Sequence, residues 1–225
     1  MSIEKLSFIN VTHETKDDSV IQQLFKSKPV HFSAKEIIYN EGSAVNSVIV
    51  VRNGMVKLVS HLPNGRARIV RVHSAGAWLG LCGVLGQPFQ HTAIAVDDVD
   101  VYYIPVSKIL SIKSSHPHIY NKLLEHWFDY LQEADMWISE FSTGIIKARV
   151  ARLVNFLSDI EGKDASNEVK LLTCEEMAEI LGATPESVSR VLAEFKREKV
   201  LYPATIPVND WYRRDIPALN SIAQE

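Results

Sequence analysis

A chain of 225 residues is long enough for one or two domains with substantial cores. Its 46% apolar and 23% charged residues are ordinary for a folded protein and exclude global disorder, a collagen-like fibre and a disulfide scaffold. A formal charge of −3, from 24 Lys and Arg against 27 Asp and Glu, argues against a general polyelectrolyte binder that coats nucleic acid by bulk positive charge.

The first residues, 1–10, carry Glu4 and Lys5 and no long apolar run, unlike a secretory signal. Seven of the ten glycines lie between Gly42 and Gly86, and Gly42, Gly54, Gly65 and Gly76 follow at intervals of 12, 11 and 11. Between them sit short alternating or β-branched runs at 48–51, 55–59 and 68–72. Asn53-Gly54 and Asn64-Gly65 read as hairpin dipeptides, because both turn residues tolerate positive φ. The runs 92–96 and 99–105 flank Asp97-Asp98. This spacing predicts an antiparallel sandwich or jelly roll at about residues 20–110. Within it, the charge-free stretch 75–89 is cut by four glycines and Pro88 and is too short to span a bilayer. Two cysteines, Cys82 and Cys174, suggest no disulfide framework or metal motif, and cannot supply the four thiolates of an iron–sulfur cluster. The expected location is cytoplasmic and reducing, with no membrane partner.

From 119 to 141 there is no Gly or Pro. Leu123, Trp127, Tyr130, Ala134, Trp137 and Phe141 recur at spacings of 4, 3, 4, 3 and 4, a heptad seam. Leu124, Phe128, Leu131 and Ile138 form a second stripe about 100° round the helix. One stripe can pack on the β domain; the other needs a partner, and the same helix of a second copy is the simplest one. The seam residues mark the dimer helix, the alternative being a helix buried on both sides within its own subunit. About 23 residues at ~1.5 Å each give ~35 Å, enough to connect two domains. Ser142-Thr143-Gly144 ends this helix. A shorter one follows with Ile146, Val150, Leu153, Val154 and Leu157 on one face, then a polar loop at 161–167.

Residues 173–199 carry the densest set of signals. Thr173 and Glu176 form a capping box, Gly182 stands where a first helix stops in the left-handed region, Thr184 is an N-cap and Pro185 sits at N1. Two helices joined by so tight a turn make a helix-turn-helix. On the second helix Val188, Val191, Leu192 and Phe195 form the core face, while Glu186, Ser189, Arg190, Ala193 and Arg197 point away. The N-terminal end of such a helix reaches base edges. Arg190 can pair bidentately with guanine, Glu186 can accept from a cytosine amine and Ser189 can meet a thymine or another edge. The alternative is a solvated face with Glu186 and Arg190 as an i,i+4 ion pair.

The run 177–201, MAEILGATPESVSRVLAEFKREKVL, resembles the helix-turn-helix signature of the CRP/FNR family of bacterial transcription regulators. The glycine-spaced β segment, the seam helix and their order are similar to that family over nearly the whole chain. The resemblance implies an α+β fold: a β-roll (double-stranded jelly-roll, cyclic-nucleotide-binding-like) effector domain at 1–115, a dimerisation helix at 116–143 and a winged helix-turn-helix at 144–225. It implies double-stranded DNA, a second copy of the chain and RNA polymerase as partners. It also implies that Glu186, Ser189 and Arg190 read a TTGAT-like half-site in an inverted repeat, with Thr173, Thr184, Ser187, Lys196 and Arg197 on the DNA backbone. The stretch 201–214 departs from the pattern: its two prolines predict a weak or irregular wing, and Arg213 and Arg214 read either as further phosphate contacts or as two solvated arginines.

The effector is less legible. The stretch matching the family's phosphate-binding cassette is Gly80-Leu81-Cys82 and His91-Thr92, in which Leu81 replaces a carboxylate and His91 an arginine. A buried cyclic phosphate without a fixed cation is poorly compensated, which argues against cyclic AMP. The family's oxygen-sensing branch resembles iron–sulfur regulators with an N-terminal cysteine cluster, and this chain has no cysteine before Cys82, so that mechanism does not carry over. Haem stays open, with His31, His73 and His91 as axial candidates, and Cys82 stays open as a thiol sensor. Trp78, Leu79, Leu81, Val84, Leu85 and Phe89 read as an apolar pocket or as plain core. No metal site is expected. Nor is an enzyme: GxSxG, HExxH, P-loop and Rossmann fingerprints are absent, and Asp97, Asp98 and Asp100 read as solvated loop carboxylates. The segment after residue 144 is itself acidic, with 11 basic against 13 acidic residues. Its cations include Lys147, Arg149, Arg152, Lys199, Arg213 and Arg214, so binding is expected to depend on placing a few of them well.

Overall fold

The computed structural model describes residues 27–160, 167–204 and 210–225, without the side chain of His126. The N-terminal segment 1–10, most of the polar loop at 161–167 and the middle of the expected wing, 205–209, lie outside the described residues. Residue contacts gather into two compact units, one of 1–60 with 72–131 and one of 61–71 with 132–225.

The N-terminal part is a β sandwich. Its strands are β1 (Val30–Phe32), β2 (Ile37–Tyr39), β3 (Ser47–Asn53), β4 (Val56–His61), β5 (Ala67–His73), β6 (Trp78–Leu79), β7 (Thr92–Ala95) and β8 (Val99–Pro105), with a short 3-10 helix at Leu81–Leu85. They form two four-stranded sheets, ordered β1-β8-β3-β6 and β2-β7-β4-β5. Strand β3 explains the sandwich. Its side chains alternate between faces, yet the run Val48, Ile49, Val50 and Val51 is buried throughout. Ile49 and Val51 join a core with Val56, Ala93 and Ala95 of the facing sheet. Val48 and Val50 join a second core with Ile109, Ile119 and Leu123 of the helices that follow.

One expected hairpin is a different kind of turn. Asn64-Gly65 does connect the neighbouring strands β4 and β5. Asn53-Gly54, however, carries the chain from one sheet to the other, because β3 pairs with β8 and β6 while β4 pairs with β7. Long-range bonds make this crossing: the Asn53 amide oxygen accepts from Asp100 N at 2.8 Å, and Asp97 Oδ1 accepts from Met55 N at 2.7 Å. Gly54, at φ +81, lies so close to Asp98 O and Val99 that a Cβ has no room. Asp98 Oδ1 accepts from Ala34 N at 3.2 Å and Asp100, already in β8, pairs with His31, so all three carboxylates hold the fold together.

Helix α1 (Val106–Ser115) leads into α2 (Pro117–Ser142), which is the long helix predicted from 119 to 141. Its heptad seam turns inward. Leu123 is buried, Trp127 and Tyr130 pack on the core of Trp78, Leu81 and Ile109, and the Tyr130 hydroxyl accepts from Trp78 N at 2.7 Å. Further along, Trp137 and Phe141 are buried and stack edge-to-face with Phe156. The second stripe stays bare: Leu124, Phe128, Leu131 and Ile138 are 44%, 58%, 61% and 63% exposed. The seam Leu123, Trp127, Tyr130, Ala134, Trp137 and Phe141 is therefore the inward stripe. The chain's own cores take up that stripe, and the other is the one they leave exposed.

The C-terminal part holds α3 (Ile146–Ile160), β9 (Glu168–Lys170), α4 (Cys174–Leu181), α5 (Pro185–Arg197), β10 (Leu201–Pro203), β11 (Trp211–Arg214) and α6 (Ile216–Ala223). Val150, Leu153, Val154 and Leu157 of α3 are fully buried. The expected weak wing is regular where it is described. Leu201, Tyr202 and Pro203 pair with Arg214, Arg213 and Tyr212, and β11 pairs in turn with β9. Pro203 is tolerated because β10 is the edge strand.

Candidate nucleic-acid interface

The helix-turn-helix is built by local chemistry. Thr173 Oγ1 accepts from Glu176 N at 3.2 Å while the Glu176 carboxylate accepts from Thr173 N at 3.0 Å, closing the capping box of α4. Gly182 caps α4 in the left-handed region at φ +60. Thr184 Oγ1 accepts from Ser187 N at 3.3 Å and meets the Ser187 hydroxyl at 3.1 Å, starting α5 with Pro185 at its first turn. Such caps are each worth ~1 kcal/mol. Val188, Val191, Leu192 and Phe195 are buried, which aims the opposite face of α5 outward.

That outward face carries Glu186, Ser189 and Arg190, all exposed. Glu186 and Arg190 do not form the i,i+4 pair of a plain solvated face. The carboxylate takes its own backbone N–H and the Thr184 hydroxyl, which hold its carboxyl below the usual carboxylate range. Among the described residues no ion pair occupies the Arg190 guanidinium. The amides of this first turn are taken by Thr184 and by the Glu186 carboxylate itself, so what the helix N-terminus adds is a partial positive charge of ~0.5.

The neighbouring cations divide into two groups. Arg197, Lys199 and Arg213 are exposed. Lys196 is exposed too, but its ammonium donates to the Tyr212 hydroxyl at 2.9 Å and sits 4.4 Å from that ring, tying α5 to the wing. Lys147 bonds Glu194 Oε1 at 2.6 Å and Glu198 Oε2 at 3.4 Å, while Arg149, Arg152 and Arg214 are spent on internal oxygens. These four, counted in the sequence as cations for DNA, are structural. Their partners are mostly backbone carbonyls and amide side chains, which leave no trace in a sequence pattern.

In the β sandwich the candidate effector residues are packed. Leu81 and Thr92 are buried, and the Thr92 hydroxyl accepts from Glu41 N at 3.1 Å. At Gly80, φ +76, a Cβ would lie 2.8 Å from the Phe89 ring. Cys82 Sγ donates to Pro88 O at 3.5 Å, and burial pushes its thiol up, away from a reactive thiolate at neutral pH. Of the candidate pocket residues, Trp78 and Leu81 belong to one core and Leu79 and Phe89 to the other, while Leu85 is exposed. His31 bonds Asp100 at 3.0 Å at the surface, His73 is buried edge-on to Tyr130, and His91 is half-buried. Among the described residues no cluster of His, Cys, Asp and Glu is placed to hold a metal, and no helix is long and apolar enough to cross a membrane.

Comparison with known proteins bears on this arrangement. Residues 29–116 match the cyclic nucleotide-binding domain and residues 151–213 the Crp-like helix-turn-helix domain. The chain is 26% identical over 190 residues to the transcriptional regulator LdrP of Thermus thermophilus, covering 84% of this chain and 93% of that protein. It is 24% identical over 169 residues to the transcriptional activator protein FnrA of Stutzerimonas stutzeri, covering 74% of this chain and 69% of that protein. A CRP-family transcriptional regulator from Thermus thermophilus has a similar crystal structure, with a TM-score of 0.72, 25% identity, and coverage of 87% and 97%. FixK2 from Bradyrhizobium japonicum shares the fold at a TM-score of 0.76 and 21% identity, with coverage of 87% and 96%.

Proposed function

This chain belongs to the CRP/FNR family of transcription regulators, and we propose that it acts in the cytoplasm as a homodimer that reads an inverted TTGAT-like repeat under control of a signal received in the β sandwich. In this reading residues 1–115 receive the signal, 116–143 dimerise and 144–225 bind DNA and contact RNA polymerase. The outward face of α5 carries the proposal. Arg190 pairs with guanine O6 and N7, Glu186 accepts from a cytosine amine and Ser189 meets a neighbouring edge. Thr173, Thr184 and Ser187 at the two helix starts, with Lys196 and Arg197, address the phosphates. The bare stripe Leu124, Phe128, Leu131 and Ile138 supports the dimer, since it is the apolar face of α2 that its own chain leaves uncovered. Twofold symmetry then sets two recognition helices about one DNA turn, ~34 Å, apart.

The signal would act on Gly80, Leu81, Cys82, His91 and Thr92 or on the helices packed beside them, shifting a population between two dimer arrangements. Leu81 and the half-buried His91 supply neither the carboxylate nor the fixed cation that a cyclic phosphate requires. A shift assay with the inverted repeat tests the reading. Binding is expected, and Arg190→Ala should cost ~1–3 kcal/mol at the guanine position. No binding by the native chain, or equal binding by the variant, would refute it.

A further inference from the structure

Within the C-terminal unit three helices end against one face of α3. Helix α2 ends at Ser142, α4 at Leu181 and α6 at Ala223. Each helix end leaves carbonyls without an intrahelical partner and a partial negative charge of ~0.5. Two guanidinium groups from α3 meet all three. Arg149 Nε donates to Phe141 O at 2.9 Å, and its Nη2 donates to Leu181 O. Arg152 Nη1 donates to Glu140 O at 2.8 Å and Thr143 O at 3.2 Å, and its Nε donates to Ala223 O at 3.0 Å. The linker between α2 and α3 is pressed onto this clamp. Gly144 has φ +85, and a Cβ there would lie 2.8 Å from Arg152 Nη2.

The linker Thr143, Gly144 and Ile145 is short, but its glycine is free to rotate in the unfolded chain and restrains little by itself. What holds the end of α2 against the first helix of the helix-turn-helix is the planar fork of Arg149. What holds it against the C-terminal helix is that of Arg152. We propose that Arg149 and Arg152 are positioning residues that determine which half-site spacing the regulator accepts, by fixing the angle between the last turn of α2 and the helix-turn-helix. The inference rests on the dimeric, DNA-reading function proposed above. If α2 carries the dimer contact and α5 the base contacts, this joint sets the separation and phase of the two reading helices. Helix α6 lies beyond the matched helix-turn-helix segment, and its last carbonyl completes the clamp.

The test uses the full-length chain against a DNA series. One probe carries a single TTGAT half-site, and the others carry the inverted repeat with the central spacer lengthened or shortened by one and two base pairs. The native chain should prefer one spacing by roughly tenfold or more over its neighbours, because each base pair shifts both distance and phase. Arg149→Met and Arg152→Met should flatten that preference to about threefold or less while single half-site affinity stays within about twofold. Arg149→Lys and Arg152→Lys keep the charge at the helix ends but lose the fork, so they should flatten it as well. A native chain that binds no half-site defeats the proposed function. A native chain that binds, with variants whose spacing preference stays sharp, defeats the positioning role alone. Parallel loss of half-site binding and of thermal stability in the Met and Lys variants alike would also overturn it, by reducing the arginines to plain fold stabilisers.

Discussion

The Lys147 ammonium lies 2.6 Å from the Glu194 carboxylate, binding α3 to the flank of the recognition helix. The hydrogen bond to Glu194, chiefly, and then that to Glu198 hold the ammonium above its ordinary value against a smaller opposing effect of burial, and the Lys147 bond holds the Glu194 carboxyl below its own. For the raised base the stabilising contribution is complete below the unfolded value of about 10.4 and is lost as pH rises through the higher folded one. For the depressed acid it is present above about 4.3 and is lost as pH falls through the lower folded one. The melting temperature of Lys147→Met should therefore lie below that of the native chain by a constant interval from pH 6 to 9. Scanning calorimetry across that range checks it, and an interval that closes near neutrality would contradict the pairing.

Glu186 should keep its charge in mildly acidic solution. Its own backbone N–H, then the Thr184 hydroxyl, stabilise the carboxylate, so this contribution fades only as pH falls through a value below the ordinary ~4.3. Discrimination at the base it reads should be equal at pH 5 and pH 7.5, and Glu186→Gln should relax it at both. Competition binding with a substituted half-site measures this, and a preference that halves at pH 5 would count against the carboxylate as the reader.

The bare stripe on α2 makes oligomeric state the next prediction. A Leu or Phe side chain is worth ~1.5–3 kcal/mol when fully buried, and a twofold interface counts each residue twice. Leu131→Asp or Phe128→Asp should weaken the dimer by about two orders of magnitude or more. Both side chains are more than half exposed in the single chain, so its melting temperature should barely move. Sedimentation velocity with a parallel shift assay on the inverted repeat reads both, and an unchanged dimer would redirect the contact elsewhere.

Two glycines with the same backbone should respond differently to alanine. Gly65 has φ +78 and open space around it, so Gly65→Ala costs only the left-handed strain, on the order of 1–2 kcal/mol. Gly54 has φ +81 with Asp98 O and Val99 against it, so Gly54→Ala should cost roughly 3 kcal/mol. Denaturant unfolding of the pair checks the order, and equal losses would mean that the turn between the sheets can open at little cost.

This contrast also shows what a sequence makes legible. Asn53-Gly54 and Asn64-Gly65 look alike because a turn is a local property. Which sheet the next strand joins depends on β7 and β8, some forty residues further on. The helix-turn-helix is readable down to its caps because Thr173, Glu176, Gly182, Thr184 and Pro185 act within one helical turn of themselves. The two stripes of α2 are readable as stripes. Their direction is not, since both are apolar and only the assembled cores decide which one is taken. Strands β1, β2 and β6, of two or three residues, are too short to show an alternation. Arg149 and Arg152 are visible only as positive charge, because a carbonyl partner belongs to every residue and marks none.

Strand β10, at the edge of the wing sheet, is three residues long and its third residue is Pro203, which has no N–H to offer. Such an edge is a poor template for another chain. The wing sheet thus carries its own guard against strand-by-strand aggregation.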